Sequence, residues 1–168
     1  MKPIVSIIMG STSDLPVMEK AAAFFESMEI PFEMNALSAH RTPAEVEKFA
    51  SEAAGRGIKV IIAGAGMAAH LPGVIAAMTP LPIIGVPIKA SLDGMDALLA
   101  IVQMPPGIPV ATVAINGALN AAILSTQMMA TNDKELFAKT VKYKEELKGK
   151  IMKANEDLSK ITYSYKTN

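Results

Sequence analysis

Residues 38–43 read Ser38-Ala39-His40-Arg41-Thr42-Pro43, the densest chemistry in the chain. His40 is one of only two histidines in a protein without cysteine. Imidazole gains and loses its proton near neutral pH, which suits it to general acid–base work. The neighbouring Arg41 guanidinium can grip an anion through two parallel N–H groups. Thr42-Pro43-Ala44-Glu45 reads as a helix start, with Thr42 as N-cap, Pro43 first in the helix and Glu45 three past the cap. A proton carrier, an anion clamp and a helix N-terminus this close together point to chemistry on a phosphorylated small molecule. The plainer alternatives are a surface or core-lining histidine and a solvated arginine.

Two further segments carry the same flavour. In Gly10-Ser11-Thr12-Ser13-Asp14, small residues and three hydroxyls stand at a helix start, where backbone N–H groups and the helix dipole favour an anion. The same residues could equally be a cap, with Ser13 or Asp14 as the capping group. Asp14 would repel a phosphate but could hold ribose hydroxyls. The third segment, Gly64-Ala65-Gly66-Met67-Ala68-Ala69-His70-Leu71-Pro72-Gly73, is nearly devoid of polar side chains. Its Gly-x-Gly alone is weak evidence for a dinucleotide, and it lacks the Gly-Lys-Ser/Thr ending of a nucleotide-hydrolase loop. It suits the wall of a tight, dry pocket. His70 is readable as a helix-start residue bonded to the backbone or as a second proton carrier. With two histidines, no cysteine and no metal-ligand spacing, no metal is expected. The twelve methionines read as core filler.

These segments must be positioned by alternating elements. Apolar runs at Ile4–Met9, Phe32–Leu37, Lys59–Ala63, Pro82–Val86 and Pro109–Ala114 read as strands, with Gly64-Ala65-Gly66 ending the third. Helical patterns fill Asp14–Met28, Thr42–Gly55, His70–Met78, Asp93–Gln103 and Leu119–Ala130. In the first of these, Leu15, Met18, Ala22 and Phe25 form the apolar stripe. Asn132-Asp133-Lys134-Glu135 resembles a capping box opening a charged helix to about Lys160. Solid apolar strands separated by helices predict a parallel sheet covered on both faces. The fold class expected is a flavodoxin-like, doubly wound three-layer α/β/α sandwich with five strands. One domain spans 1–168, with a core over 1–131 and a C-terminal helix and tail over 132–168. In such folds ligands bind beyond the carboxyl ends of the strands. All three segments follow predicted strands, so one face collects them.

Composition narrows the partners. Hydrophobic residues are 51% and aromatics only 5%, so Ala, Ile, Val, Leu and Met must build the core. A mean hydropathy of +0.32 is high for a lone soluble chain, and a homo-oligomer is expected. Sixteen basic residues balance sixteen acidic ones, without the basic excess that nucleic-acid partners call for. The first apolar run is too short for a leader or a membrane span. A cytoplasmic protein with no membrane partner is expected.

Gly-Ser-x-Ser-Asp at 10–14, Ser-Ala-His-Arg-Thr-Pro at 38–43 and Gly-Ala-Gly-x-Ala-Ala-His-Leu-Pro-Gly at 64–73 resemble, in order and spacing, the 5-(carboxyamino)imidazole ribonucleotide mutase family of purine biosynthesis. Ile101-Val102-Gln103-Met104-Pro105, Gly107-Ile108-Pro109-Val110 and Ala130-Thr131-Asn132-Asp133 extend the likeness across residues 4–135. The resemblance implies a cofactor-free octameric isomerase. It would move a carboxylate from the exocyclic nitrogen of an imidazole ribonucleotide to ring carbon four, through trapped carbon dioxide. By the same resemblance His40 is the general acid/base; Ser11, Ser13 and Arg41 hold the phosphate, and Asp14 the ribose. Ser38 supports the loop, Gly66, Ala69, His70 and Leu71 form an apolar lid, and the C-terminal helix packs between subunits. Two departures stand out: Met67 replaces a common glycine, and the 114–120 segment is short.

The nearest rival is a relative that carboxylates aminoimidazole ribonucleotide directly with carbon dioxide. That class typically carries lysine at the position of Arg41 and lacks the following Thr-Pro. A non-catalytic flavodoxin-like nucleotide-binding protein is a further alternative, disfavoured by the few aromatics available to sandwich a flavin.

Overall fold

The computed structural model describes residues 1–168. Two compact units divide at Met129/Ala130. The first holds five parallel strands, β1 (Val5–Met9), β2 (Phe32–Ala36), β3 (Val60–Gly66), β4 (Ile83–Ile88) and β5 (Ala111–Thr112), in the order β2-β1-β3-β4-β5. Its helices are α1 (Leu15–Met28), α2 (Pro43–Arg56), α3 (Leu71–Ala76), α4 (Met95–Val102) and α5 (Ala118–Ala130), which ends at the boundary. This is the expected flavodoxin-like α/β arrangement.

β1, β3 and β4 are buried nearly end to end, as strands covered on both faces must be. Ile8, Ile61, Ala63 and Ala65 join Val46, Phe49 and Ala53 of α2, Leu71 and Ile75 of α3, and Ala97 and Ile101 of α4 in one apolar cluster. Gly64 faces the other way, and α1 rests on it so closely that a Cβ there would lie 2.5 Å from Met18 Sδ. β1 also carries one mismatch: the Ser6 hydroxyl is fully buried and without a hydrogen-bond partner.

Several local expectations shift. β3 does not stop at Ala63 but runs through Gly64-Ala65-Gly66, because these pair with Val86, Pro87 and Ile88 of β4. The strand expected over Pro109–Ala114 shrinks to Ala111–Thr112. It is the sheet edge, and Pro109 has no N–H to extend the ladder. The α1 stripe is Met18, Ala21, Phe25 and Met28, while Leu15 is exposed and Ala22 only half-buried. The expected third and fourth helices begin later, at Leu71 and Met95.

The second unit, Ala130–Asn168, is dominated by α6 (Lys134–Ser159). Its cap sits one residue later than the capping box implied: Asp133 is the N-cap, and its carboxylate accepts from Leu136 N at 3.0 Å. No helix of the chain is long and apolar enough to cross a membrane.

Candidate active site

The order in which strands are added to the sheet reverses between β1 and β3, which opens a crevice beyond their carboxyl ends. A pocket of about 540 Å³ lies there, lined by the loops that follow β1, β2, β3 and β4.

The loop after β2 is knotted by its own hydroxyls. Thr42 Oγ1 accepts from Ser38 N at 2.9 Å and donates to Ser38 O at 3.1 Å, while Thr42 N donates to the same carbonyl at 2.8 Å. Thr42 therefore is not the side-chain cap expected from its sequence; its hydroxyl closes the loop instead. Ser38 Oγ accepts from Arg41 N at 3.2 Å and, more weakly, from Arg41 Nε at 3.5 Å. Arg41 reaches back to the end of β1, where Nη2 donates to Gly10 O at 3.2 Å. Its Nη1 makes no hydrogen bond within the chain and remains available to an anion.

Beside it, the loop after β1 makes a single helical turn at Thr12–Asp14, and α1 continues from it. Ser11, rather than Ser13 or Asp14, caps that turn, its Oγ accepting from Ser13 N at 3.3 Å. The Asp14 carboxyl lies against Gly10. Burial pushes its pKa above the usual carboxylate range, partly offset by a hydrogen bond from the Ser11 backbone. A carboxylate at this position can accept hydrogen bonds from a ligand's neutral donors, such as hydroxyls.

The two histidines meet although thirty residues separate them. His40 Nε2 lies 2.8 Å from His70 Nδ1, with rings crossing at 78°. One nitrogen must donate and the other accept, so the pair shares a single bridging proton. Two cationic rings would set donor against donor and break the contact. His70 makes no helix-cap bond, which removes its plainer reading. The pair can take up a proton at one ring while the other adjusts.

Of the residues expected here, Ser11, Ser13, Asp14, Ser38, His40, Arg41, Gly66, His70 and Leu71 all line the pocket. Ala69 does not: it is 1% exposed and belongs to the core cluster under α3. Ala90, after β4, lines the pocket without having been anticipated. An alanine carries no chemical signal, although its place after a strand was a cue. Among the lining residues, Ala65, Gly66, Met67, Ala68, Leu71 and Ala90 form an apolar wall opposite the hydroxyls and Arg41. The short 114–120 segment still braces this region, since Lys89 N donates to Asn116 Oδ1 at 2.9 Å and Asn116 N donates to Pro87 O at 2.8 Å.

A family model described as AIR carboxylase matches residues 4–150. The chain belongs to that family. Similar proteins include an N5-carboxyaminoimidazole ribonucleotide mutase from Pyrococcus abyssi, 58% identical over 147 residues, covering 87% of this chain and 84% of the relative. A phosphoribosylaminoimidazole carboxylase from Candida glabrata is 53% identical over 163 residues; the match covers 96% of this chain but only 29% of that protein. The fold is also similar to the crystal structure of Treponema denticola PurE, which superposes with a TM-score of 0.84 at 30% identity over 93% of this chain and 98% of that one.

Proposed function

We propose that this chain is an isomerase of de novo purine (IMP) biosynthesis, converting 5-(carboxyamino)imidazole ribonucleotide to the isomer carboxylated at ring carbon four. The single observation that carries the reading is a proton-sharing histidine pair set between an anion-binding rim and an apolar wall. Likeness to the archaeal mutase over most of both chains supports the same reaction.

The residues divide the work as follows. Ser11, Ser13 and Arg41 bind the phosphate and Asp14 the ribose, while Ser38 holds the His40 loop. Protonated His40 delivers its proton to the exocyclic nitrogen as the N–C bond of the carbamate breaks, leaving carbon dioxide and an electron-rich ring. Ring carbon four then attacks carbon dioxide, and neutral His40 removes the proton from that carbon. The imidazole ends as it began, with no net oxidation and no co-reactant. The apolar wall favours this sequence by excluding water that would protonate the ring. His70 keeps the His40 ring oriented through their hydrogen bond.

The large apolar side chains left exposed on and before α4, including Leu92 and Leu99, support a homo-oligomer. We take it to be an octamer, with α6 packing on neighbouring subunits, in the cytoplasm. Light scattering at eight times the 17.7 kDa chain mass is the expected result; a monomer would refute it.

The name of the Candida relative favours a second reading, direct carboxylation of aminoimidazole ribonucleotide, although this chain spans only 29% of that protein. Supplying the carbamate in bicarbonate-free buffer separates the two. Formation of the ring carboxylate is expected, and its absence, with turnover of aminoimidazole ribonucleotide plus bicarbonate instead, sinks the mutase.

A further inference from the structure

Met67 sits in the left-handed region at φ +55°, where a side chain with a Cβ is strained and glycine is not. Nothing in the core compensates that strain. The residue is 61% exposed, and it lines the pocket. Its backbone carbonyl accepts from Ala69 N at 2.8 Å, a bond that glycine would make equally well. A long apolar side chain is thus held at the pocket rim for a reason other than folding.

The apolar wall explains what that reason is. Ala65, Gly66, Ala68 and Ala90 are too small to cover a bound ring, and Leu71 is 3% exposed and committed to the core. Met67 alone on this wall combines length, exposure and freedom to move. Methionine is unbranched and has no strongly polar atom, so it can settle on a planar ring without bringing water. We propose that the Met67 side chain closes over the bound imidazole and retains carbon dioxide between release from nitrogen and capture by carbon. Met67 is then a retention residue for the proposed mutase reaction, and the inference rests on that reading.

The test measures leakage. The carbamate, labelled with carbon-13 in its carboxylate, is supplied in bicarbonate-free buffer with carbonic anhydrase to consume escaped carbon dioxide. The ratio of aminoimidazole ribonucleotide to ring carboxylate is recorded after subtracting spontaneous decay. Met67→Gly and Met67→Ala should raise that ratio by about tenfold, the factor corresponding to roughly two lost buried methylene groups. Met67→Gly should also melt no lower than the parent, because it relieves the backbone. Met67→Leu, which restores apolar bulk, should leak like the parent. An unchanged ratio in both truncations overturns the proposal, as does leakage by Met67→Leu equal to that of the truncations. Failure of the mutase reading itself would appear differently, as a parent protein that forms no ring carboxylate from the carbamate.

Discussion

Replacing Arg41 with alanine tests the anion end of the pocket quantitatively. The arginine is exposed, and its side-chain bonds to Gly10 O and Ser38 Oγ, at 3.2 and 3.5 Å, are long and solvent-facing. Their loss should cost the fold little, so the effect falls on binding. A hydrogen bond to a charged group contributes about 1.5–3 kcal/mol. Exposure to solvent places this one at the lower end, about 1.5–2 kcal/mol, which is roughly a 10- to 30-fold loss of affinity. Calorimetric titration of parent and Arg41→Ala with the ribonucleotide product, and with its nucleoside lacking the phosphate, gives a four-point cycle. The nucleotide should bind the variant roughly 10- to 30-fold more weakly, while the nucleoside binds both proteins equally within about twofold. Raising the salt concentration should shrink the parent's advantage, because the ion pair is exposed. Equal losses for nucleotide and nucleoside would show that Arg41 only shapes the loop, and an unchanged nucleotide affinity would remove its phosphate role.

Three other substitutions probe different links. His40→Asn should lower kcat by roughly a hundred- to ten-thousand-fold, the usual contribution of a general acid–base group, with product affinity retained; near-normal turnover refutes the assignment. Asp14→Asn should stabilise the protein in a pH-dependent way. Because burial raises the folded-state pKa of Asp14, its contribution is fully favourable below the unfolded carboxyl value and is lost as pH rises through the folded one. The variant's Tm advantage should therefore be near zero at strongly acid pH and largest at neutral pH, and the opposite trend on thermal melting contradicts the argument. Ser6→Ala removes the buried hydroxyl that has no partner; relief of such a group is worth about 1–3 kcal/mol. At roughly 3 °C per kcal/mol for a chain of this size, Tm should rise by several degrees, and a lower Tm would mean that the hydroxyl is satisfied.

Much of the molecule was legible in the sequence because its signals are local. An apolar run ended by glycine and a hydroxyl-rich helix start are both contained in about ten residues, so five strands, the loops after them and the face they share followed directly. The three motifs and their spacing pointed to the family, and nine of the ten expected site residues line one pocket.

What the sequence missed depends on groups far apart in the chain. That β3 continues through Gly64–Gly66 is decided by pairing with β4; Gly64, which reads as part of a terminator, leaves the room in which Met18 of α1 approaches the strand. Thr42 gave up its expected cap because Ser38, four residues away across the loop, offered both a donor and an acceptor. Ala69 went to the core and Ala90, unanticipated, to the pocket, because an alanine carries no pattern of its own and only packing tells a core methyl from a pocket wall. Residue types alone established that this protein has one histidine beside an arginine and another in an apolar loop. Only the tertiary structure joined His40 to His70 across 2.8 Å, because the order of β1, β2 and β3 in the sheet, set by burial along whole strands, decides which loops face each other.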